Sequence, residues 1–174
     1  MRDGDALHNN PQVSRQALED VHEALFGWCL TRCDFEHAVA EDLLQQTYVE
    51  VLSGRARYDS RSALKTFLFA VAQNLARSRV RRLAVRLRLL RTYAVADAAP
   101  AAAPAGGPAG EQARIWQAVA SLPARQRDMT ELVFCRDLSI REASAVMGVS
   151  IGTGRAHYER AKKALAEKLA GLKE

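Results

Sequence analysis

Apolar residues recur at three- and four-residue spacing along most of the chain, and no segment alternates convincingly between apolar and polar residues as a half-buried strand would. The pattern therefore predicts an all-α fold. Before residue 93 it predicts three helices: Ser14–Arg32, Glu36–Leu52 and Arg61–Thr92. After residue 110 it predicts four more: Glu111–Ala120, Ala124–Arg136, Ser139–Met147 and a last helix opening at Ser150.

Residues 94–111 separate the two groups of helices and consist almost wholly of Ala, Pro and Gly. A segment without large apolar side chains cannot contribute to a core, so we interpret it as a flexible linker. The expected organisation is an N-terminal tail at 1–13, a helical domain at 14–93, the linker at 94–111 and a second helical domain at 112–172.

The third predicted helix combines an apolar side with a strongly basic one. The predicted buried stripe is Leu64, Phe67, Leu68, Val71 and Leu75, and the opposite side carries Asn74, Arg77, Arg81 and Arg88. Residues 60–96 contain nine Lys or Arg and no Asp or Glu, whereas residues 1–59 hold eleven acids against five Lys or Arg. Such an uncompensated run favours a polyanion as partner, since arginines can follow phosphates and an asparagine can contact a base edge.

The helix at Glu36–Leu52 turns a second, mostly polar side outwards, formed by Asp42, Gln45, Gln46 and Val49. This side is either a contact face or an ordinary solvated surface.

The longest purely apolar run is far shorter than a membrane span, and the N-terminus lacks an apolar signal core, so we expect a cytoplasmic protein without membrane insertion.

Near the C-terminus the pattern is that of a helix-turn-helix, with Gly148 at the turn and a longer helix opening at Ser150. The predicted outward side of this helix is Thr153, Ala156, His157, Arg160 and Lys163, and the inward side is Ile151, Gly154, Tyr158, Ala161, Leu165 and Leu169. Small polar residues followed by cations suit base contacts followed by phosphate contacts.

Cys29, Cys33 and His37 recur at intervals of four residues, which raises the question of a metal site. Asp34 is expected to start a turn between them, and no second pair of ligands is present. We therefore expect buried structural cysteines, no metal and no cofactor.

The strings AEDLLQQTYVEVL, LKTFLFAVAQNLARSRVRR, LPARQRDMTELVF and GVSIGTGRAHYERAKKAL occur in that order. Together they resemble an extracytoplasmic-function sigma factor of the bacterial sigma-70 family. The resemblance implies a non-enzymatic initiation factor that binds core RNA polymerase, double-stranded promoter DNA and the melted non-template strand. An anti-sigma factor is a further candidate partner, because such factors commonly hold members of this family inactive.

The resemblance also assigns residues to three contact sites. Its polymerase-docking motif falls on Asp42, Gln45, Gln46 and Thr47. Its motif for the −10 element falls on Asn74, Arg77, Arg79, Arg81 and Arg82. Its motif for the −35 element falls on Ser150, Thr153, Arg155, His157 and Arg160.

Two departures from the family pattern carry expectations. Gln46 stands where the family usually has Glu, which removes a charge from the docking face. Gly154 stands where the family has a buried Val, so we expect a gap in the second domain and a loosely packed structure that Gly154→Val would improve. Of the aromatic residues near the basic helix, Phe67 is expected to pack inside rather than stack on a base.

Three other functions are weighed against this one. A stand-alone helix-turn-helix regulator would bind DNA without polymerase. A metal-dependent nuclease would need a convergent carboxylate cluster, and Glu41, Asp42 and Glu50 do not share one face. A module that binds only protein would show no salt-dependent affinity for DNA.

Overall fold

The computed structural model describes residues 13–91 and 111–170, and the chain divides into two compact units, Met1–Pro104 and Ala105–Glu174. Every regular element is helical in these described residues, which confirms the all-α prediction. The first unit contains α1 (Arg15–Arg32), α2 (His37–Leu52) and α3 (Leu64–Arg91). The second contains α4 (Glu111–Ala120), α5 (Ala124–Thr130), α6 (Ile140–Met147) and α7 (Ile151–Ala170). Residues 1–12 of the tail expected at 1–13 and nearly all of the expected linker lie outside the described residues. Val13 is described and only 3% exposed, so it belongs to the core and not to a tail.

Helix α1 begins and ends at residues with clear local signals. The Ser14 hydroxyl accepts a hydrogen bond from the backbone N–H of Ala17 at 3.2 Å, which caps the helix. The chain then leaves α1 through Asp34 and Phe35, whose φ angles of 50° and 62° are left-handed. Two consecutive residues in that region cannot continue a helix, so the predicted turn at Asp34 separates α1 from α2.

The core of the first unit lies between the three helices. Its buried side chains include Leu25, Trp28, Leu43, Val51, Leu68 and Phe69. The rings of Trp28 and Phe69 stack with centroids 6.0 Å apart, and the Arg32 guanidinium lies 4.1 Å from the centroid of the Trp28 ring. Stacked aromatic rings bury a large apolar area, so this pair fixes α1 against α3.

Helix α3 differs from its prediction in two respects. It begins at Leu64 rather than Arg61, because Ser60 has a φ of 58° and the Asp59 carboxylate accepts from the Arg61 backbone N–H at 3.2 Å. Its buried stripe is also rotated relative to the predicted one. The fully buried side is Leu68, Phe69, Ala72, Gln73 and Ala76, whereas Leu64, Phe67, Val71 and Leu75 are half-buried.

The helix expected at Ala124–Arg136 is interrupted. It is α-helical only to Thr130 and continues as a π-helical turn from Glu131 to Cys135. The turn closes where the Leu138 backbone N–H donates to the Leu132 carbonyl at 3.0 Å. A π-helical turn adds a residue per turn, and here Glu131 and Leu132 stay buried while Phe134 becomes 58% exposed.

The predicted helix-turn-helix is present as α6, a turn and α7. Ser139 and Glu142 form a reciprocal capping box at the start of α6. At its end Gly148 adopts a left-handed φ of 64°, which glycine tolerates without a steric penalty. Ser150 then caps α7, since its Oγ accepts from the Thr153 backbone N–H at 3.1 Å.

The gap expected at Gly154 is absent, and this prediction is wrong. A Cβ built on Gly154 would overlap the Oγ of Ser144 on α6 and would lie 3.0 Å from the Met129 Cε. Ser144 and Met129 are themselves almost fully buried. The glycine therefore permits α7 to approach α6 and α5 closely, and no space is left for a valine. Ile151 also differs from its prediction, because it is 43% exposed.

Candidate functional site

The outward side of α2 presents three of the four residues assigned to polymerase docking. Asp42 and Gln45 are exposed, and Gln46 is half-buried. Thr47 is fully buried, and its hydroxyl donates to the Leu43 carbonyl at 2.7 Å. The threonine therefore packs in the core and is not on the surface that a partner can reach.

The outward side of α2 meets the basic helix α3 at an ion pair. Arg79 Nη1 lies 3.0 Å from Asp42 Oδ2, and the two side chains are 44% and 66% exposed. This pair borders an open cleft of about 570 Å³. The cleft is lined by Asp42, Gln45, Gln46, Val49, Glu50, Arg55, Arg79 and Arg82. Candidate polymerase and DNA residues thus adjoin one another within the first unit.

The cations of α3 form an exposed basic surface. Asn74, Arg79, Arg81 and Arg82 are exposed, and Arg77 is half-buried. The Arg81 guanidinium donates to the Ser78 Oγ at 2.9 Å, one turn before it, which orients the side chain along the helix. Asn74, Arg77 and Arg81 follow one side of α3 at spacings of three and four residues, whereas Arg79 and Arg82 line the cleft beside α2. Guanidinium groups spaced along one side of a helix can contact successive phosphates, so this side suits a nucleic-acid backbone.

The aromatic side chains near this surface take unequal positions. Phe69 is fully buried against Trp28, so it cannot stack on a base. Phe67 is half-buried and its ring centroid lies 5.1 Å from that of Tyr58. The Tyr58 hydroxyl donates to the Ser62 carbonyl at 2.7 Å. Phe67 and Tyr58 thus pack on each other at the edge of the bundle.

At the start of α7 the candidate −35 residues fall into two groups. Ser150 and Thr153 lie 2.9 Å apart through their hydroxyl oxygens, and both take part in the helix cap. Arg155 and Arg160 are exposed, and His157 is half-buried. The first turn of α7 therefore presents hydroxyl and backbone groups to a binding partner, and the following turns present cationic side chains.

In residues 13–91 and 111–170, no three His, Cys, Asp or Glu side chains lie together as a group that could hold a metal ion. Cys29 and Cys33 are buried. Burial raises the pKa of the Cys33 thiol, and the positive charge of Arg79 opposes that effect in part. The His37 ring makes an edge contact with Phe26 at 5.8 Å between centroids. Across the described helices, none is long and apolar enough to cross a bilayer.

Sequence reasoning missed three features of these surfaces. The Asp42–Arg79 pair joins residues 37 positions apart, and no local pattern encodes it. The exposed stack of Phe134 on Tyr158, at 5.8 Å between centroids, depends on the π-helical turn. The buried pair between Glu131 and Arg136, at 3.0 Å, depends on the same turn.

Comparison with known proteins bears on both units. Residues 17–86 match the family model described as sigma-70 region 2, and residues 112–165 match that described as sigma-70, region 4. The chain is 33% identical over 163 residues to the ECF RNA polymerase sigma factor SigF of Caulobacter vibrioides (strain NA1000 / CB15N), covering 94% of this chain and 89% of the relative. This chain belongs to the extracytoplasmic-function sigma factors.

A second relative of this sigma factor is the RNA polymerase sigma factor CarQ of Myxococcus xanthus, 30% identical with coverage of 91% of this chain and 94% of the relative. Among solved structures, the sigma factor RpoE from Bartonella quintana, in complex with the anti-sigma factor NepR, superposes with a TM-score of 0.69 at 27% identity. That match covers 90% of this chain and 96% of the other. The sigma factor therefore binds core RNA polymerase and promoter DNA in transcription initiation, as the motifs implied.

Proposed function

We propose that the first unit of this sigma factor docks on core polymerase through Asp42, Gln45 and Gln46 of α2 and contacts the −10 element through α3. Thr47 supports the docking helix from inside, because its buried hydroxyl bonds to the Leu43 carbonyl. The −10 contacts would come from one set on α3: Asn74, Arg77, Arg79, Arg81 and Arg82.

The observation that carries this proposal is the cleft between α2 and α3. Carboxylate and amide groups of α2 line one side, and Arg79 and Arg82 of α3 line the other. A protein surface that contacted the α2 side would lie directly beside the arginines that suit promoter phosphates. Docking and DNA contact can then occur together on one three-helix bundle.

In the second unit, α7 would enter the major groove at the −35 element, as the second helix of a helix-turn-helix does. Arg155 and Arg160 are exposed and able to reach bases or phosphates, and His157 lies beside them. Ser150 and Thr153 already bond to each other and to the start of the helix. Their hydroxyls would accept or donate further bonds to DNA without losing the cap.

In vitro transcription with core polymerase tests both parts of the proposal. Gln46→Arg should weaken polymerase binding, because it replaces an amide of the proposed docking surface by a longer, charged side chain, while Gln16→Arg on α1 serves as a control with the same chemical change. Arg82→Gln should leave polymerase binding intact and reduce promoter complexes, with Arg15→Gln as its control.

Arg155→Gln should weaken binding to promoters in a way that depends on the −35 sequence, whereas Lys162→Gln, also on α7, should not. If the wild-type chain selects no start site with core polymerase yet binds DNA alone, the stand-alone regulator replaces this proposal. DNA cleavage that requires a metal would instead revive the nuclease. We expect neither, because initiation requires the sigma factor to position DNA and not to catalyse a reaction.

Two further parts of the proposal rest on the family. The sigma factor would work in the cytoplasm, where its polymerase partner acts. An anti-sigma factor would hold it inactive, as suggested by the RpoE structure that contains NepR. Copurification of an inhibitor that blocks start-site selection, and its release on induction, would support this regulation.

A further inference from the structure

The two arginines of α3 that line the cleft beside α2 differ in their partners. Arg79 Nη1 donates to Asp42 Oδ2 at 3.0 Å. Arg82, one turn further along α3, is exposed in the same cleft and takes part in no ion pair within residues 13–91. The other acid of the cleft, Glu50, is paired with Arg55 at 3.0 Å. Asp42 therefore binds one of two neighbouring arginines and leaves the other available to a partner.

The pair of Asp42 and Arg79 is built so that either residue can change partner. One guanidinium nitrogen meets one carboxylate oxygen, and both side chains are well exposed. An exposed single contact of this kind is weak, because water solvates both charges. In the second unit, by contrast, Glu131 and Arg136 form a pair whose side chains are largely buried. A competing charge that enters the cleft can thus replace Asp42 or Arg79 at little cost.

The same pair affects how Arg79 meets a phosphate. A phosphate on this guanidinium lies within about 8 Å of the Asp42 carboxylate, the distance over which charges act at physiological salt. The two anions repel each other, so DNA gains less from Arg79 than from the unpaired Arg82. A cation of a docked partner that pairs with Asp42 removes that repulsion.

We propose that Asp42 is a positioning residue for Arg79, which it holds against α2 in the free sigma factor and releases to promoter DNA when polymerase contacts Asp42. The proposal rests on the proposed function, in which Asp42 belongs to the docking surface and Arg79 to the −10 contacts. Because coupling of two binding events is reciprocal, promoter DNA on Arg79 also frees Asp42 for polymerase. Arg82 has no such carboxylate, so its part in DNA binding should not depend on polymerase.

The first test measures DNA binding by the full chain without polymerase. The probe is a fluorescent duplex that carries a promoter selected by the wild-type holoenzyme, and the readout is anisotropy across a salt series. Asp42→Asn should tighten binding about two- to fivefold and steepen the slope of log affinity against log salt by about one, because Arg79 becomes available to a phosphate. Asp42→Glu keeps the carboxylate and should bind as the wild type does.

Two matched substitutions separate the pair from net charge. Glu41→Gln makes the same change from carboxylate to amide at an exposed position one residue earlier on α2. Its effect should be much smaller than that of Asp42→Asn, and Asp42→Asn should have only this smaller effect in an Arg79→Gln background. Arg86→Gln removes an exposed cation two turns after Arg79 on the same side of α3. In that background Asp42→Asn should keep its full effect.

The second test repeats the titration with core polymerase at a saturating concentration. Arg79→Gln should weaken promoter binding about two- to fivefold more in the holoenzyme than in the free chain. Arg82→Gln should weaken both by a similar factor. Asp42→Asn should lose in the holoenzyme the gain that it shows in the free chain. A residue that only stabilised the bundle would shift the two states alike.

The possible results separate this proposal from the proposed function. Weaker DNA binding by free Asp42→Asn would show that the carboxylate orients Arg79 towards DNA, and additive effects of Asp42→Asn and Arg79→Gln would show no coupling. Either result overturns the positioning role and leaves the assigned contacts in place. If Arg79→Gln alters DNA binding in neither state, or Asp42→Asn leaves the affinity for core polymerase unchanged, the contact assigned to that residue fails, and the positioning role fails with it.

Discussion

Replacing Gly154 by Ala tests how closely α7 packs against the helices beneath it. In an exposed helix, Gly→Ala adds about 0.5–1 kcal/mol of stability, because alanine loses less backbone entropy on folding. At Gly154 the new methyl would overlap the Ser144 Oγ and lie 3.1 Å from its Cβ and 3.0 Å from the Met129 Cε. Overpacking of a buried contact costs about 1–3 kcal/mol. We therefore expect a net loss of about 1–2 kcal/mol.

Gly152→Ala is the matched control two residues earlier. A Cβ there would meet only the Ser150 Oγ at 3.9 Å, which is an ordinary contact, so this substitution should stabilise the unit by about 0.5–1 kcal/mol. Opposite signs at two glycines of one helix separate packing from backbone propensity. Ser144→Ala removes the overlapping oxygen, and Gly154→Ala should cost less in that background.

Native-state hydrogen exchange of the full chain, followed by mass spectrometry of peptides from residues 140–170, measures these effects within the second unit. The reasoning is refuted if Gly154→Ala raises protection as much as Gly152→Ala does, or if Ser144→Ala leaves the cost unchanged. Gly154→Val should be worse than Gly154→Ala, which is the reverse of the effect expected from the family pattern.

Three further predictions concern other contacts. Arg136→Met should cost about 1–3 kcal/mol in urea unfolding, since it removes the 3.0 Å ion-pair partner of the buried Glu131 carboxylate, and adding Glu131→Gln should recover most of the loss. Arg82→Gln should reduce the slope of log affinity for promoter DNA against log salt by about one, and an unchanged slope would remove this arginine from the phosphate contacts. Because burial raises the pKa of Cys33, less thiolate is present at pH 8 in the folded chain, so iodoacetamide should label it more slowly than in urea. Equal rates would show that the thiol is not protected.

The helices and their ends could be predicted closely because their signals are local. Ser14, Ser139 and Gly148 act as caps in the structure as their types suggest. The helical pattern predicts the start of α3 three residues too early. The cause is the left-handed backbone of Ser60, a conformation that the residue type serine does not signal. Both sigma-70 regions were recognisable because each motif lies within one or two helices.

Contacts between helices were harder to predict. The face of α3 was misjudged because Phe67 and Phe69 are equally apolar, and only the ring of Trp28 on α1 decides which is covered. At Gly154 the family pattern predicts a gap, and the structure has a close contact between helices. A glycine in the sequence is compatible with either. Only the position of Ser144 on α6 distinguishes the two.

The ion pair between Asp42 and Arg79 has a consequence for genetics. Such an exposed pair contributes only about 0–1 kcal/mol to folding, so either residue can change without unfolding the bundle. Yet an allele at Asp42 also alters the electrostatic surroundings of a guanidinium assigned to the promoter. Phenotypes at these two positions should therefore show epistasis. A defect of either single allele cannot be assigned to polymerase or to promoter DNA alone, whereas a double allele that exchanges the two charges keeps the ion pair and separates the two effects.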